Sequence, residues 1–223
     1  MTTDRFMDPL HFCIALGPLA LYFLLIGGIN LFKRPFVTTG ARDIAALAVG
    51  ISGLIIAGPM ELFLPETAAW QFGGSLVWLL LLLLYFLGTT LLVLLLRPRI
   101  VIYNVTAEQL RPVLSEIVGD LDPQARWAGA CLVLPNLGVQ LHVESLPPLK
   151  NTQLVAAGSQ QNYAGWRKLE VAMAKSLSQQ EGNSNPYAYT LLTMGLVLVA
   201  LVATTMATQS DTVAQDLREM LRM

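Results

Sequence analysis

Few side chains in this sequence could do acid–base or metal chemistry. The candidates flank long apolar runs, and they are Asp8, His11, Glu61, Glu66 and Asp211. Carboxylates and imidazole can ligate divalent cations, and a positioned histidine can transfer protons. Their spacing matches no metal-ligand motif, so the sequence predicts solvated residues at a membrane boundary. We therefore assign no catalytic, metal-binding or cofactor-binding residue and expect no cofactor.

Other candidate motifs are equally sparse. The sequence has no Gly-rich phosphate loop, zinc-ligand spacing or nucleophile elbow. Cys13 and Cys131 stand alone and are predicted to act as small hydrophobic residues. His142 falls on the polar face of a predicted strand, which favours a solvated histidine over a base. Asn104 begins a match to a glycosylation acceptor, which a cytosolic segment would not use.

The composition indicates a membrane protein. Of 223 residues, 54% are hydrophobic and only 13% are charged, whereas about a quarter of the residues in a soluble domain carry charge. The formal net charge of −1 gives no electrostatic reason to expect a nucleic-acid partner, because such proteins usually present a basic face. We expect membrane lipids as partners, together with a protein partner or further copies of the chain.

Four apolar runs are long enough to cross a bilayer core as helices. Their predicted bounds are about residues 10–32, 44–64 and 75–96 in an N-terminal region of residues 1–96, and residues 187–208 after a polar insert. The fold class predicted is therefore an α-helical polytopic membrane protein with four transmembrane helices. A small cytosolic two-layer α+β domain is inserted between the third and fourth helices.

The cations predict the orientation. Lys33, Arg34 and Arg42 flank the first loop, and eight more cations lie between Arg97 and Pro186, whereas the loop between the second and third spans has none. Cytoplasmic loops carry such an excess of Lys and Arg. Residues 97–186 are therefore predicted to be cytoplasmic with both termini outside, in a bacterial inner membrane.

A strip of small residues runs along one face of the second predicted span. Ala46, Gly50, Gly53 and Ala57 recur at spacings of four, three and four residues. Such strips let two helix backbones approach closely, where packing contacts hold membrane helices together. These four residues are our helix-packing candidates, within the chain or against another protein.

The insert, residues 97–182, is predicted to fold in the order β-α-β-β-β-α. A strand at residues 100–104 precedes a helix with a capping-box pattern at Thr106; Pro112 lies too deep for the preferred first turn of a helix that starts at Ala107, so the helix either kinks or begins later. A hairpin around residues 135–138, a strand at residues 152–157 and a helix from Asn162 to Leu177 follow. One sheet face is expected to be covered and the other wet. The predicted core residues are Leu110, Leu114, Ile117, Leu132, Leu141, Trp166 and Leu169.

The last segment, residues 211–223, predicts a short amphipathic helix. Val213, Leu217, Met220 and Leu221 follow helical spacing, and Asp211 stands at a possible N-cap. A helix this short is not stable alone in water. It is either a frayed end of the fourth span or a surface helix lying on the membrane or a partner.

Three functions remain open on the sequence alone. The first is a non-enzymatic scaffold, assembly factor or regulatory subunit whose cytosolic domain binds a protein partner. The second is a transporter or accessory subunit acting as an oligomer, motivated by Gly-Pro pairs at residues 17–18 and 58–59. The third is a membrane-embedded enzyme acting on lipid, for which the boundary carboxylates and His11 are the only candidate acid and base groups. We expect a protein that is not an enzyme.

Overall fold

The computed structural model describes residues 8–60, 75–146, 150–159, 161–180 and 185–221. The chain forms two compact units. The sheet unit consists of Ile26–Ile44 and Leu94–Thr190, and the helical unit consists of Met1–Leu25, Ala45–Val93 and Leu191–Met223. The elements in chain order are α1 (Pro9–Leu31), β1 (Phe36–Thr39), α2 (Gly40–Ile55), α3 (Ser75–Leu95), β2 (Arg99–Tyr103), α4 (Ala107–Leu121), β3 (Arg126–Ala128), β4 (Cys131–Leu134), β5 (Val139–Leu146), β6 (Asn151–Ala156), α5 (Tyr163–Leu177), α6 (Tyr187–Thr208) and α7 (Ser210–Leu221).

Four helices among the described residues are long and apolar enough to cross a membrane, namely α1, α2, α3 and α6. The bounds of α1, α3 and α6 lie within one residue of the predicted spans. The second helix begins at Gly40 rather than Ile44, because the Thr39 hydroxyl accepts the amide of Arg42 and so caps its first turn. A π-helical turn, Ile56–Met60, follows α2. The predicted end of this span at Leu64 lies outside the described residues.

Helix α4 carries the capping box that its sequence predicts. Thr106 accepts the amide of Gln109, and the Gln109 side chain accepts the amide of Thr106. The helix continues through Pro112. Proline at this position removes only the bond to the carbonyl of Glu108, which lies in the exposed first turn where water can replace the lost donor.

The sheet contains two strands that the sequence analysis did not predict. Its six strands lie in the order β1-β2-β6-β5-β4-β3, and every neighbouring pair is antiparallel. Strand β3 pairs with β4 through a tight turn at Gly129, which has φ +66. Strand β1 comes from the loop between α1 and α2 and pairs with β2 from Phe36 opposite Tyr103 to Thr39 opposite Ile100. The sheet therefore extends beyond residues 97–182.

The hydrophobic core lies between one face of the sheet and the helices α4 and α5. Buried side chains from β2, β4, β5 and β6 meet those of the two helices. All seven core residues named from the sequence belong to this cluster and are at most 8% exposed. The apolar residues with helical spacing in α4 and α5 and the alternate apolar residues of the strands therefore all face the same core.

The second face of the sheet is not uniformly wet, contrary to the expectation from the sequence. Val101 is 0% exposed, Thr38 is 7% exposed and Tyr103 is 8% exposed. These residues share the face opposite the core cluster, because Thr38 pairs with Val101 and the side chains of successive strand residues alternate. The face is covered where β1 and β2 meet, near the ends of α1 and α2 that belong to the sheet unit.

The tail forms α7, which Gln209 separates from α6. Backbone bonds from Gln209 to Thr205 and from Val213 to Gln209 continue the helical pattern across the junction. Val213 is 8% exposed, whereas Leu217 is 42% exposed. The side chains of Met220 and Leu221 lie outside the described set, so the predicted apolar face of the tail is seen only in part.

The β1–β2 register predicts a cysteine cross-link. In a chain with Cys13→Ala and Cys131→Ala, a Thr38→Cys, Val101→Cys pair should form a disulfide rapidly under mild oxidation, because residues 38 and 101 are opposite partners on the same face. Gel mobility with and without reductant measures it. The matched control is Thr38→Cys, Ile102→Cys, whose side chains point to opposite faces. Equal cross-linking of both pairs, or of neither, would contradict the register.

Candidate functional site

The candidate acid–base residues, which the sequence predicts to be solvated, are only partly among the described residues. His11 Nδ1 lies 3.9 Å from Asp8 Oδ2 in the first turn of α1; the His11 side chain is 6% exposed and that of Asp8 is 64% exposed. Asp211 lies in the first turn of α7. Glu61 and Glu66 lie outside the described residues. Among the residues that the structure describes, no group of three His, Cys, Asp or Glu side chains is placed to hold a metal ion.

The small-residue strip of α2 faces α1 within the helical unit. A β-carbon added at Gly53 would collide with the carbonyl oxygen of Ile14, and one at Gly50 would lie 2.7 Å from Cβ of Tyr22. Ala46 and Ala57 are partly buried. The contact at Gly53 is with backbone, which cannot rotate away as a side chain can. Whether the strip also serves assembly with another protein stays a prediction.

The remaining residues singled out from the sequence are spread along the chain, and of these Cys131 and His142 are opposite partners on β4 and β5. Pro18 lies inside the continuous helix α1, while Pro59 lies in the π-helical turn after α2. His142 is partly exposed, with its Nε2 3.3 Å from Glu144 Oε1 on the same strand. Cys13 and Cys131 are free thiols, both partly buried.

A buried polar junction within the sheet unit holds the end of α1 against β2. Asn104 is 2% exposed, and its side-chain amide donates to the carbonyls of Ile29 at 2.9 Å and Phe32 at 3.1 Å. The last carbonyls of a helix have no partner within the helix, so this amide satisfies two of them. Asn104 has φ +65, a conformation that asparagine tolerates better than most residues.

The first turn of α6 joins the same junction. Asn185 is 1% exposed, and its carboxamide oxygen accepts the amide of Tyr187, as an N-cap does. Its Nδ2 donates to Oδ1 of Asn30 at 3.2 Å, and its backbone amide donates to the carbonyl of Asn30. Asn30 in turn donates to the Ile26 carbonyl. We call Asn30, Asn104 and Asn185 the asparagine junction.

Within the sheet unit, polar side chains join the first turn of α2 to β2 and α5. Asp43 Oδ1 accepts a 2.5 Å hydrogen bond from the hydroxyl of Tyr103, and Arg42 Nη1 lies 3.0 Å from Glu170 Oε1 on α5. Gly40 lies directly against the side chain of Arg99, where a β-carbon would collide. Because Arg42 is largely exposed, its ion pair adds little stability by itself.

A groove opens between α4 and α5 near their C-terminal ends. It has a volume of about 370 Å³, with Ile117, Leu121 and Ala172 on its apolar side and Glu116 and Asp120 on the α4 rim. Below it, the buried carboxylate of Asp122 accepts bonds from the backbone amides of residues 124, 136 and 137 and from the Asn136 side chain. These donors replace water around a charge that is 0% exposed. We call this opening the helix groove.

The sequence analysis missed both the asparagine junction and the helix groove. Asn30 sits at the end of an apolar run and Asn185-Pro186 precedes another, which is a recognisable signal for a helix boundary. The groove depends on how α4 and α5 pack, for which the sequence carries no signal. Comparison with protein-family models, curated proteins and solved structures gives no match for this chain.

The close approach at Gly53 predicts a matched pair of glycine variants. Gly53→Ala should lower the free energy of unfolding by about 1–3 kcal/mol, because its methyl group must push the backbones of α2 and α1 apart. Gly88→Ala in α3 should cause no loss, because no atom lies within 4 Å of its new β-carbon. Thermal unfolding in mild detergent compares them. Equal melting temperatures for both variants would remove the strip from the packing argument.

The asparagine junction predicts that Asn104→Gly lowers the free energy of unfolding by about 1–3 kcal/mol, because glycine keeps the positive φ but removes the buried amide that donates to the carbonyls of Ile29 and Phe32. Thermal unfolding in detergent measures it. Asn104→Asp should cost more at neutral pH, because a carboxylate would face those carbonyls; this variant controls for the added freedom of glycine in the unfolded chain. Wild-type stability in Asn104→Asp would refute the capping role.

Proposed function

We propose that this protein is a non-enzymatic membrane scaffold, assembly factor or regulatory subunit whose α+β domain binds a protein partner. One observation carries the proposal. The domain is not a loosely tethered insert, since Ile26–Ile44 and Leu94–Thr190 form one compact unit that includes the ends of α1, α2, α3 and α6. A partner bound to this unit would be held beside four helices that are long and apolar enough to cross a membrane.

The polar contacts of the unit support this role. Asn104 and Asn185 bond to the last turns of α1, and Tyr103 and Glu170 bond to the first turn of α2. The buried groups among them, Asn104, Asn185 and Tyr103, favour one arrangement of the helix ends, because each loses its partner if those ends shift. The domain would therefore keep a fixed position on its helix ends while its outward surface, which includes the helix groove, meets other proteins.

The location that we propose is a bacterial inner membrane, with residues 97–186 cytoplasmic and both termini outside. The antiparallel pairing of β1 with β2 requires residues 36–39 and 99–103 to lie on one side of the membrane. The chain between them must then cross an even number of times, which suits two crossings by α2 and α3. The cations of the first loop and the insert favour the cytoplasmic side. A reporter fused after Gly182 should accordingly be cytoplasmic, and one fused after Met223 should be outside.

The function is tested by isolating the full chain in mild detergent and identifying what accompanies it by quantitative mass spectrometry. We expect one protein to be recovered reproducibly at a fixed ratio to the chain. The control is an unrelated four-span protein carrying the same tag, which should not recover that protein. Recovery of copies of the chain alone would overturn the scaffold proposal. It would favour the oligomeric transporter that the Gly-Pro pairs suggest.

A further inference from the structure

The helix groove has rims of opposite charge. Glu116 and Asp120 are exposed on α4 and stand four residues apart, so they share one face of that helix. Lys175 is exposed on the opposite rim, and Lys168, also exposed, stands two turns earlier on the same side of α5. Between the rims the groove is apolar. Within the described part of the chain, none of these four side chains forms an ion pair.

The acidic rim is electrostatically unfavourable in the chain by itself. Like charges four residues apart on a helix repel each other. Glu116 and Asp120 also lie in the C-terminal half of α4, where the helix dipole is negative, and no basic residue occupies its last turn. A row of cations placed along this rim would relieve both effects. Lys168 and Lys175 stand seven residues apart, and Lys175 lies in the last turn of α5, where the helix dipole favours a cation, so anions placed beside them would gain only the direct attraction of opposite charges.

From this geometry we propose that the helix groove binds an amphipathic helix of the protein partner. The helix lays its apolar face between α4 and α5, a basic edge along Glu116 and Asp120, and an acidic edge along Lys168 and Lys175. The proposal rests on the proposed function and names the chemistry of the partner. Apolar anchors in a groove supply the affinity, and the charged edges supply specificity. Because reversing the helix exchanges its two edges, the rims also fix the direction in which it lies.

Three synthetic helices of about five turns test this with the full chain in detergent. All carry leucine along one face; the edges of that face are lysine and glutamate in the first, lysine on both sides in the second and glutamate on both sides in the third. Titration by fluorescence anisotropy gives each Kd. We expect the wild-type chain to bind the mixed-edge peptide at least about tenfold more tightly than either uniform peptide, with the difference shrinking at high salt.

Charge reversal should exchange these preferences. Glu116→Lys with Asp120→Lys makes both rims basic, so this variant should select the glutamate peptide. Lys168→Glu with Lys175→Glu makes both rims acidic and should select the lysine peptide. A misfolded variant would lose all binding rather than change its choice. An unchanged order of affinities in both variants would overturn the proposal.

A second pair of variants tests whether the peptide occupies the apolar part of the groove. Ser176→Trp should fill the groove and weaken binding of the mixed-edge peptide by about tenfold, while Ala174→Trp, exposed on α5 outside the groove, should not. Equal binding by the two would overturn docking in the groove. If the wild-type chain forms a dimer by light scattering that Ser176→Trp abolishes and Ala174→Trp does not, the occupant is a second copy and the partner helix is refuted.

The two proposals can fail separately. If the isolated wild-type chain carries a stoichiometric partner and both charge-reversed variants retain it fully, the scaffold function stands and the groove is not its docking site. If no such partner is recovered, the proposed function fails whatever the peptides do.

Discussion

The pairing of β1 with β2 is the constraint on which the soluble part of this protein depends. Four residue pairs join the loop after α1 to the strand after α3. Without β1, the edge of β2 would present unpaired backbone groups, and a sheet edge of that kind invites other chains to pair. The pairing also makes the domain discontinuous in sequence, because its first strand and its main body are separated by α2 and α3. The domain therefore completes its sheet only when two segments far apart in the chain come together.

The asparagine junction follows from that pairing. Once β2 lies beside β1, Asn104 at the end of β2 is brought against the last turn of α1, whose carbonyls have no partner of their own. An apolar side chain there would remove the donor from both carbonyls, and each hydrogen bond contributes about 0.5–1.5 kcal/mol to stability. Asn30 and Asn185 extend the same arrangement to the start of α6. The carboxamides of Asn104 and Asn185 thus satisfy helix ends that a continuous apolar surface could not.

The charges near α4 and α5 are of two kinds, one compensated by hydrogen bonds within the domain and the other not. Asp122 is buried but surrounded by donors, so its charge is compensated within the domain. Glu116, Asp120, Lys168 and Lys175 are exposed and carry no ion pair among the described residues. A carboxylate row on the negative end of a helix contributes nothing to folding. The proposed docking of a partner helix would give this carboxylate row a role.

The sequence by itself determined the elements whose signals are local. Apolar runs of membrane length predicted α1, α3 and α6 to within a residue, the capping pattern at Thr106 predicted the start of α4, and alternating residues predicted the β4–β5 hairpin. Tertiary structure decided the rest. Phe36–Thr39 is too short to be predicted as a strand from its sequence, although Pro35 and Gly40 bound it. Its pairing arises only when β2 lies beside it. The asparagine junction and the helix groove likewise depend on residues distant in sequence, because hydrogen bonds and packing across helix ends are set by position in space and leave no periodic pattern along the chain.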